Sequence, residues 1–443
     1  MLRILYGTAG TGKSAAIMDE IRRGADSGER YILLVPEQYS HEAERELCAV
    51  CGDGLSLYAE VLSFTGLARE ISSECGGAAN EYLDKGGRLL CMALAADGLY
   101  SRLRVYGAAR RKAELQTMLL GAVDEFKSAC VTSERLMQAS EACEGALGDK
   151  LHDLGLILEA YDGVVANGRA DPSDRLSVLA QQIGQCSMSE RTHVFVDGFT
   201  DFTAQERRVL EALLSKGVCL TVCLGCDELH GGSEVFALSR ITASALLKFA
   251  ADNGIKAQTE RFGGESTKAK PLGEFAENMF SYRAVEAGDA QGRIKIISAA
   301  DTNAECEFAA AEAVSLVRDT GCRWRDIAVC AKGFDDYRLP LESAFSRFGA
   351  PIYTARKADM LSKPLPMLIE SAYEIILGGW EADDVFDYLR TGFGGLDTDE
   401  CDELENYVFM WQLHGSAWTR AENWRLHPEG YGKQPDEASE QTL

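Results

Sequence analysis

Proline is scarce in this sequence, with nine residues among 443, so little interrupts regular elements and disorder is expected only at the ends. No stretch approaches the roughly 20 apolar residues that a membrane span needs. The opening Met1-Leu2-Arg3-Ile4-Leu5-Tyr6 is too short for a signal-peptide core and reads as the first strand of a fold. The expected compartment is therefore the cytoplasm, with no membrane partner. Basic charge is also short: 45 Lys and Arg face 69 Asp and Glu, a formal net charge of -24. That argues against a protein that coats nucleic acid nonspecifically, because phosphate binding rests on clustered cations. A local DNA channel is still allowed. The densest basic cluster, Arg102, Arg104, Arg110, Arg111 and Lys112, reads equally as a solvated loop and helix start.

Without an export signal, the 14 cysteines are expected to be reduced thiols, many acting as small buried hydrophobes. Two Cys-x-x-Cys pairs, Cys48/Cys51 and Cys223/Cys226, could in principle join in a four-thiolate zinc site. The first pair falls in a helical stretch and the second in the strand-like run Leu220 to Leu224, whereas zinc pairs usually flank tight turns. What is present is an ordinary globular composition, 46% hydrophobic and 26% charged, in a chain long enough for two or three domains.

Leu2 to Tyr6, Tyr31 to Val35 and Leu55 to Leu62 read as strands, alternating with helices over Ser14 to Arg23, Ser40 to Val50 and from about Phe64. Such alternation predicts a parallel sheet covered by helices on both faces, an α/β fold. Residues 81–184 turn wholly helical. Strand patterns return at His193 to Val196 and Val218 to Leu224, so the first α/β domain is expected to comprise residues 1–80 and 185–285 around a helical insertion. Gly263 to Gly292 reads as a linker. A second, partial α/β domain is expected over 290–443, with strands at Ile294 to Ser298 and Asp326 to Ala331 and a frayed tail from about residue 425.

The sharpest motif is Gly7-Thr8-Ala9-Gly10-Thr11-Gly12-Lys13-Ser14, which fits G-x-x-x-x-G-K-[ST] between a predicted strand and a predicted helix. Gly7, Gly10, Thr11 and Gly12 let backbone N–H groups curl around phosphates, and the helix beginning near Lys13 aims its positive end at them. Lys13, expected to face solvent without ligand, would reach the β- and γ-phosphates of ATP, and the Ser14 hydroxyl would join an Mg²⁺ shell. Asp197, ending the apolar run His193-Val194-Phe195-Val196, is the candidate second Mg²⁺ group. Hydrolytic helicases usually follow it with a glutamate. Here the next residue is Gly198, and no carboxylate comes before Asp201.

Together with that P-loop, several segments resemble the B subunit of the AddAB/RexAB helicase-nuclease family: Leu34-Val35-Pro36-Glu37-Gln38, Leu62-Ser63-Phe64, Asp124-Glu125-Phe126-Lys127, and Val196-Asp197-Gly198-Phe199 with Phe202-Thr203. Phe236-Ala237-Leu238-Ser239, the stretch Ala304-Glu305 to Glu307, Asp326-Ile327-Ala328-Val329 with Tyr337, Lys363-Pro364-Leu365 and Tyr388 to Gly392 extend the likeness to about Phe393. The resemblance implies a P-loop NTPase fold like that of superfamily I helicases, with two parallel-sheet domains and a helical insertion. It further implies a decayed motor that partners an A subunit, binds single- and double-stranded DNA, and helps resect double-strand breaks for recombinational repair. The family places a nuclease with an iron–sulfur cluster at the carboxy terminus. Its residues are not recognisable here, so the chain is expected to be a piece lacking it.

Departures from an active helicase agree with the decayed-motor expectation. Six residues before Gly7 leave no room for an upstream adenine-reading glutamine motif. Lys332 stands near where a motor would place a phosphate-sensing Arg, and Lys cannot make the same bidentate contact. Leu224 to Asp227 lacks the glutamine that senses the γ-phosphate. Weak ATPase activity is the most expected of the chain alone. Two other readings are an autonomous P-loop NTPase, either an active translocase or a kinase, and an interaction module that keeps its P-loop only as a fold element.

Overall fold

The computed structural model describes all residues except 53, 77–81, 167, 264–269, 280–291, 355–359, 429 and 433–443. Alternation within short apolar runs builds the first sheet. In β1 (Leu2–Gly7), Leu2 and Ile4 pack on one face and Leu5 on the other. The same two-residue period divides Ile32 and Leu34 from Tyr31 and Leu33 in β2 (Arg30–Leu34), and Val194 and Val196 from Phe195 in β4 (Thr192–Val196). A strand buried on both faces is what a parallel sheet under two helical layers requires. With β3 (Ala59–Leu62), β5 (Cys219–Gly225) and β6 (Ala257–Arg261), these strands form one all-parallel sheet in the order β3-β2-β4-β5-β1-β6.

One face of the sheet is covered by α1 (Lys13–Arg23) and α2 (Ser40–Cys51), through Ile17, Ile21 and Leu47. The other receives α3 (Phe64–Glu74), α8 (Arg175–Gln182), α9 (Ala204–Ser215) and α10 (Ala237–Asp252). Between β3 and β4 the chain also forms α4 (Lys85–Gly98), α5 (Ala113–Ser128), α6 (Ser133–Ala142) and α7 (Ala146–Val165). These four build a core of their own around Met92, Leu119, Val123, Leu156, Ile157 and Tyr161. Here only an isolated bridge, Tyr82 to Ala170, has β character among the described residues.

The chain divides into two compact units, Met1–Ile296 and Ile297–Leu443. The second contains α12 (Thr302–Thr320) and α13 (Phe334–Arg347), packed through Cys306, Ala310, Ala313, Leu341, Ala344 and Phe345, followed by α14 (Pro364–Gly378), α15 (Ala382–Leu389) and α16 (Thr398–Trp411).

Several expectations need correction. The described residues of the second unit contain no strand, so the parallel sheet expected there is not formed: Ile294 to Ser298 is irregular, and Trp324–Asp326 is a short 3-10 turn leading into extended but unpaired backbone at Ile327. An apolar run becomes a strand only when another backbone accepts its ladder, and no ladder hydrogen bond joins these runs to another segment among the described residues. Leu55–Leu57 is likewise a 3-10 turn, and β3 starts only at Ala59. The expected linker includes α11 (Lys270–Asn278), and much of the rest lies outside the described residues, as does much of the expected frayed tail. Strand β6 escapes sequence reasoning because Ala257–Arg261 is exposed throughout and has no apolar alternation. No helix among the described residues is long and apolar enough to cross a membrane.

Candidate nucleotide-binding site

Strand β1 brings Gly7 to the carboxyl edge of the sheet, opposite Gly225 of β5. The chain then turns into α1 through Gly10 and Gly12, whose φ angles of 85° and 88° lie in the left-handed region. A Cβ on Gly12 would touch nothing, so that glycine is demanded by its dihedral alone, whereas a Cβ on Gly7 would come 2.3 Å from the Phe262 carbonyl. Thr11 Oγ1 donates to the Thr8 carbonyl at 2.9 Å. The Lys13 ammonium folds over the loop, donating to the carbonyls of Gly7 and Thr8, each at 2.8 Å. The expectation of a solvent-facing Lys13 is thereby corrected. The cation is half-buried, and the loop carbonyls take the place of the water it gives up.

Helix α1 opens without a cap. Gly12 has no side chain to offer, and the first N–H to bond back is that of Ala16, to the Gly12 carbonyl at 3.0 Å. The first-turn N–H groups at Lys13, Ser14 and Ala15 thus stand at the loop mouth, where a helix favours an anion. Ser14 is exposed, and its hydroxyl has no hydrogen-bond partner among the described residues.

Asp197 closes β4 two strands away, its N–H held by the Leu34 carbonyl at 3.0 Å and its Oδ1 accepting from Gly198 N–H at 2.9 Å. It lies close enough to act on Lys13. Burial lowers the Lys13 pKa, and the Asp197 carboxylate opposes that shift without cancelling it. Burial pushes the Cys223 thiol well up, and the Asp197 carboxylate pushes it further, so it stays neutral. Cys223 is a site residue that sequence reasoning misses. Its spacing from Cys226 suggests a thiol pair, although its place opposite Leu5 in the parallel register turns it toward α1. Phe262, whose N–H donates to the Tyr6 carbonyl at 2.7 Å, is missed with β6, which it follows.

The loop after Asp197 has a definite shape. Gly198 has φ 81°, and a Cβ there would approach Pro36 Cδ at 3.2 Å. Phe199 and Phe202 pack together and against Phe64, with ring centroids 5.1 to 6.2 Å apart. Asp201 is exposed, and Glu206 is engaged in a reciprocal cap with Thr203 at the start of α9. On the far side of the glycine loop, Cys226 N–H donates to the Gly7 carbonyl at 3.1 Å, and the following loop is pinned by Asp227, which accepts from Ser233 N–H at 2.7 Å and Arg240 at 3.3 Å.

The structure therefore gathers Gly7, Gly10, Thr11, Gly12, Lys13, Ser14 and Asp197 at one edge of the first unit. Lys332 belongs to the second unit, where it lines a hollow with Glu305, Cys306 and Tyr337, whose hydroxyl donates to Glu305 at 3.0 Å. Of the thiol pairs, Cys48 and Cys51 lie on α2, and Cys223 and Cys226 are buried at the end of β5. Among the described residues no group of three or more His, Cys, Asp or Glu is placed to hold a metal.

The model of the family described as ADDB, N-terminal, matches residues 4–275. The chain is similar to the B subunit of the ATP-dependent helicase/deoxyribonuclease of Acetivibrio thermocellus, at 31% identity over 97% of this chain and 38% of the relative. It is similar to the proteins of that name in Desulforudis audaxviator, at 34% identity over 96% of the chain and 38% of the relative, and in Heliobacterium modesticaldum, at 34% over 96% and 36%. The chain thus spans under two fifths of the length of these relatives.

Proposed function

The chain belongs to the ADDB N-terminal family, and from that premise we propose that it is the nucleotide-binding, helicase-like part of the B subunit of an ATP-dependent helicase/deoxyribonuclease that processes double-strand DNA breaks. In this reading residues 1–80 and 185–285 form a P-loop NTPase domain of the superfamily I type, 81–184 its helical insertion, and 290–443 part of a second helicase-like domain. The partner is an A subunit that drives unwinding in the cytoplasm. The nuclease and its iron–sulfur cluster belong to the remainder of the longer protein.

One observation carries the nucleotide reading: an uncapped helix start, a left-handed glycine loop and the Lys13 ammonium converge at the end of β1 with Asp197 close by. That donor set suits a polyphosphate. The first-turn N–H groups and Lys13 would bind the phosphate oxygens, while the Ser14 hydroxyl and, through water, Asp197 would hold Mg²⁺. The bound ion would shield phosphate charge.

Gly198 supports a motor that binds ATP without turning it over effectively. A glutamate there would need a left-handed backbone and would crowd Pro36, so the position where helicases place a water-activating carboxylate is built for glycine. Losing a general base commonly costs about 10²- to 10⁴-fold in rate. Titration with a fluorescent ATP analogue in Mg²⁺, paired with turnover assays with and without single-stranded DNA, tests the reading. Binding with little or no DNA-stimulated turnover is expected. Robust turnover abolished by Lys13→Ala would establish an autonomous NTPase instead, and no binding would leave an interaction module.

A further inference from the structure

The loop that joins α4 to α5, residues 99–112, is built on a buried carboxylate. Asp153 of α7 is wholly buried and accepts three successive backbone N–H groups, from Arg104 at 2.9 Å, Val105 at 2.7 Å and Tyr106 at 3.1 Å. A solvated connection needs no such anchor, since water satisfies its amides. The anchored loop presents Tyr100, Arg102, Arg104, Arg111 and Lys112 to solvent. The Arg110 guanidinium lies 3.9 Å from the centre of the Tyr100 ring, covering one face of an aromatic that is still 57% exposed.

The charges are incompletely paired. Asp97 is shared by Arg110 at 3.0 Å and Arg111 at 3.1 Å, and Asp149 takes Arg104 at 2.8 Å. The side chains of Arg102 and Lys112 make no ion pair among the described residues. Five cations thus meet two surface carboxylates on a chain of net charge -24.

We propose that this loop is a contact site for single-stranded DNA, with Arg102, Arg104, Arg111 and Lys112 neutralising phosphates and the Tyr100–Arg110 pair receiving a base. The exposed aromatic selects the strand type: an unpaired base has a free π-face to stack, a base inside a duplex has none, and an acidic peptide offers charge without a ring. The inference rests on the reading of this chain as part of a DNA-processing subunit, and it adds a site far in sequence from the P-loop.

Fluorescence anisotropy of the whole chain with a labelled oligothymidylate across a salt series tests it, with ATP-analogue affinity measured on the same preparations. The triple variant Arg102→Ala/Arg111→Ala/Lys112→Ala is expected to bind more weakly and to lower the log–log salt slope by about 2, since each phosphate contact on a single strand contributes about 0.7. Tyr100→Ala should weaken binding about tenfold through lost stacking, with Tyr100→Phe near the parent. All variants should keep the parent's ATP affinity, which also verifies that they fold. An unchanged salt slope in the triple variant overturns the proposal, as does failure of Tyr100→Phe to rescue, absence of DNA binding by the parent, or equal competition by polyglutamate. If DNA binding responds as expected but no variant or parent binds ATP, the nucleotide reading fails and the loop stands. If ATP binds and the loop variants keep the parent's DNA affinity, the loop alone fails.

Discussion

Lys13 holds the loop between β1 and α1 in shape, and under the proposed function it is also the phosphate ligand. Its bonds to the Gly7 and Thr8 carbonyls must be exchanged for phosphate oxygens when a nucleotide enters. Lys13→Ala therefore removes a charge-assisted contact worth about 1.5–3 kcal/mol, and ATP-analogue affinity should fall roughly 10- to 100-fold. Because the lost loop bonds are partly exposed, the melting temperature should change little, which thermal denaturation can check. Gly198 makes a complementary prediction. Gly198→Glu supplies the missing carboxylate in a left-handed conformation beside Pro36. It should destabilise the chain by about 1 kcal/mol or more and should not raise ATP turnover. A variant as stable as the parent and faster in hydrolysis would overturn that account.

Among the elements, the helical insertion adds to its hydrophobic core a charge network around Lys127. Lys127 on α5 is nearly inaccessible and pairs with Asp174 at 2.7 Å, Asp162 at 2.9 Å and Asp171 at 3.2 Å. Asp171 is also held by Arg88 of α4, which pairs with Asp124, and Gln205 of α9 donates to the Ser173 carbonyl at 2.8 Å. The network ties α4 and α5 to the turn before α8 and to a helix covering the sheet. Lys127→Met should cost about 3 kcal/mol, because Asp171 then keeps only Arg88 as a cation in a buried setting. Chemical denaturation would measure it.

Asp153 predicts a pH effect on the neighbouring loop. Burial by itself would raise its pKa, but the N–H groups of Arg104, Val105 and Tyr106 outweigh burial and hold it below the usual carboxylate range. A depressed folded pKa means that the stabilisation is fully present above the unfolded value of about 3.9 and is lost as pH falls through the folded value. Tyrosine fluorescence of the loop should therefore report loosening only in acid below about pH 4. Asp153→Asn should cost about 1–3 kcal/mol at neutral pH and remove that acid transition.

At the scale of the whole chain, the loop Gly7 to Ser14 and Asp197 lie in one compact unit and Lys332 in the other. Under the proposed function, unwinding of the superfamily I type would couple hydrolysis between two domains, while Gly198 follows Asp197 where a glutamate would be needed and Lys332 would stand where a motor has an Arg. The purified chain is expected to bind nucleotide yet neither separate a forked duplex nor cut DNA. A strand-displacement assay with Lys13→Ala as control decides it. ATP-dependent displacement that the variant abolishes would make this an autonomous helicase.

What the sequence determined unaided was local. The glycine loop between β1 and α1 is legible because its eight residues, Gly7 to Ser14, are contiguous. The parallel sheet is legible because Leu2 to Tyr6, Tyr31 to Leu34 and His193 to Val196 carry their burial pattern within a few residues. The rest depends on partners far along the chain. Asp153 reaches Val105 across 48 positions, and Lys127 reaches Asp171 across 44. Cys223 meets Lys13 only once β5 lies beside β1. The apolar runs near Ile297 and Ile327 have strand composition yet form no ladder among the described residues, and β6 has a partner without the composition. A ladder is a property of two segments, so composition proposes strands and tertiary contact alone decides which of them form.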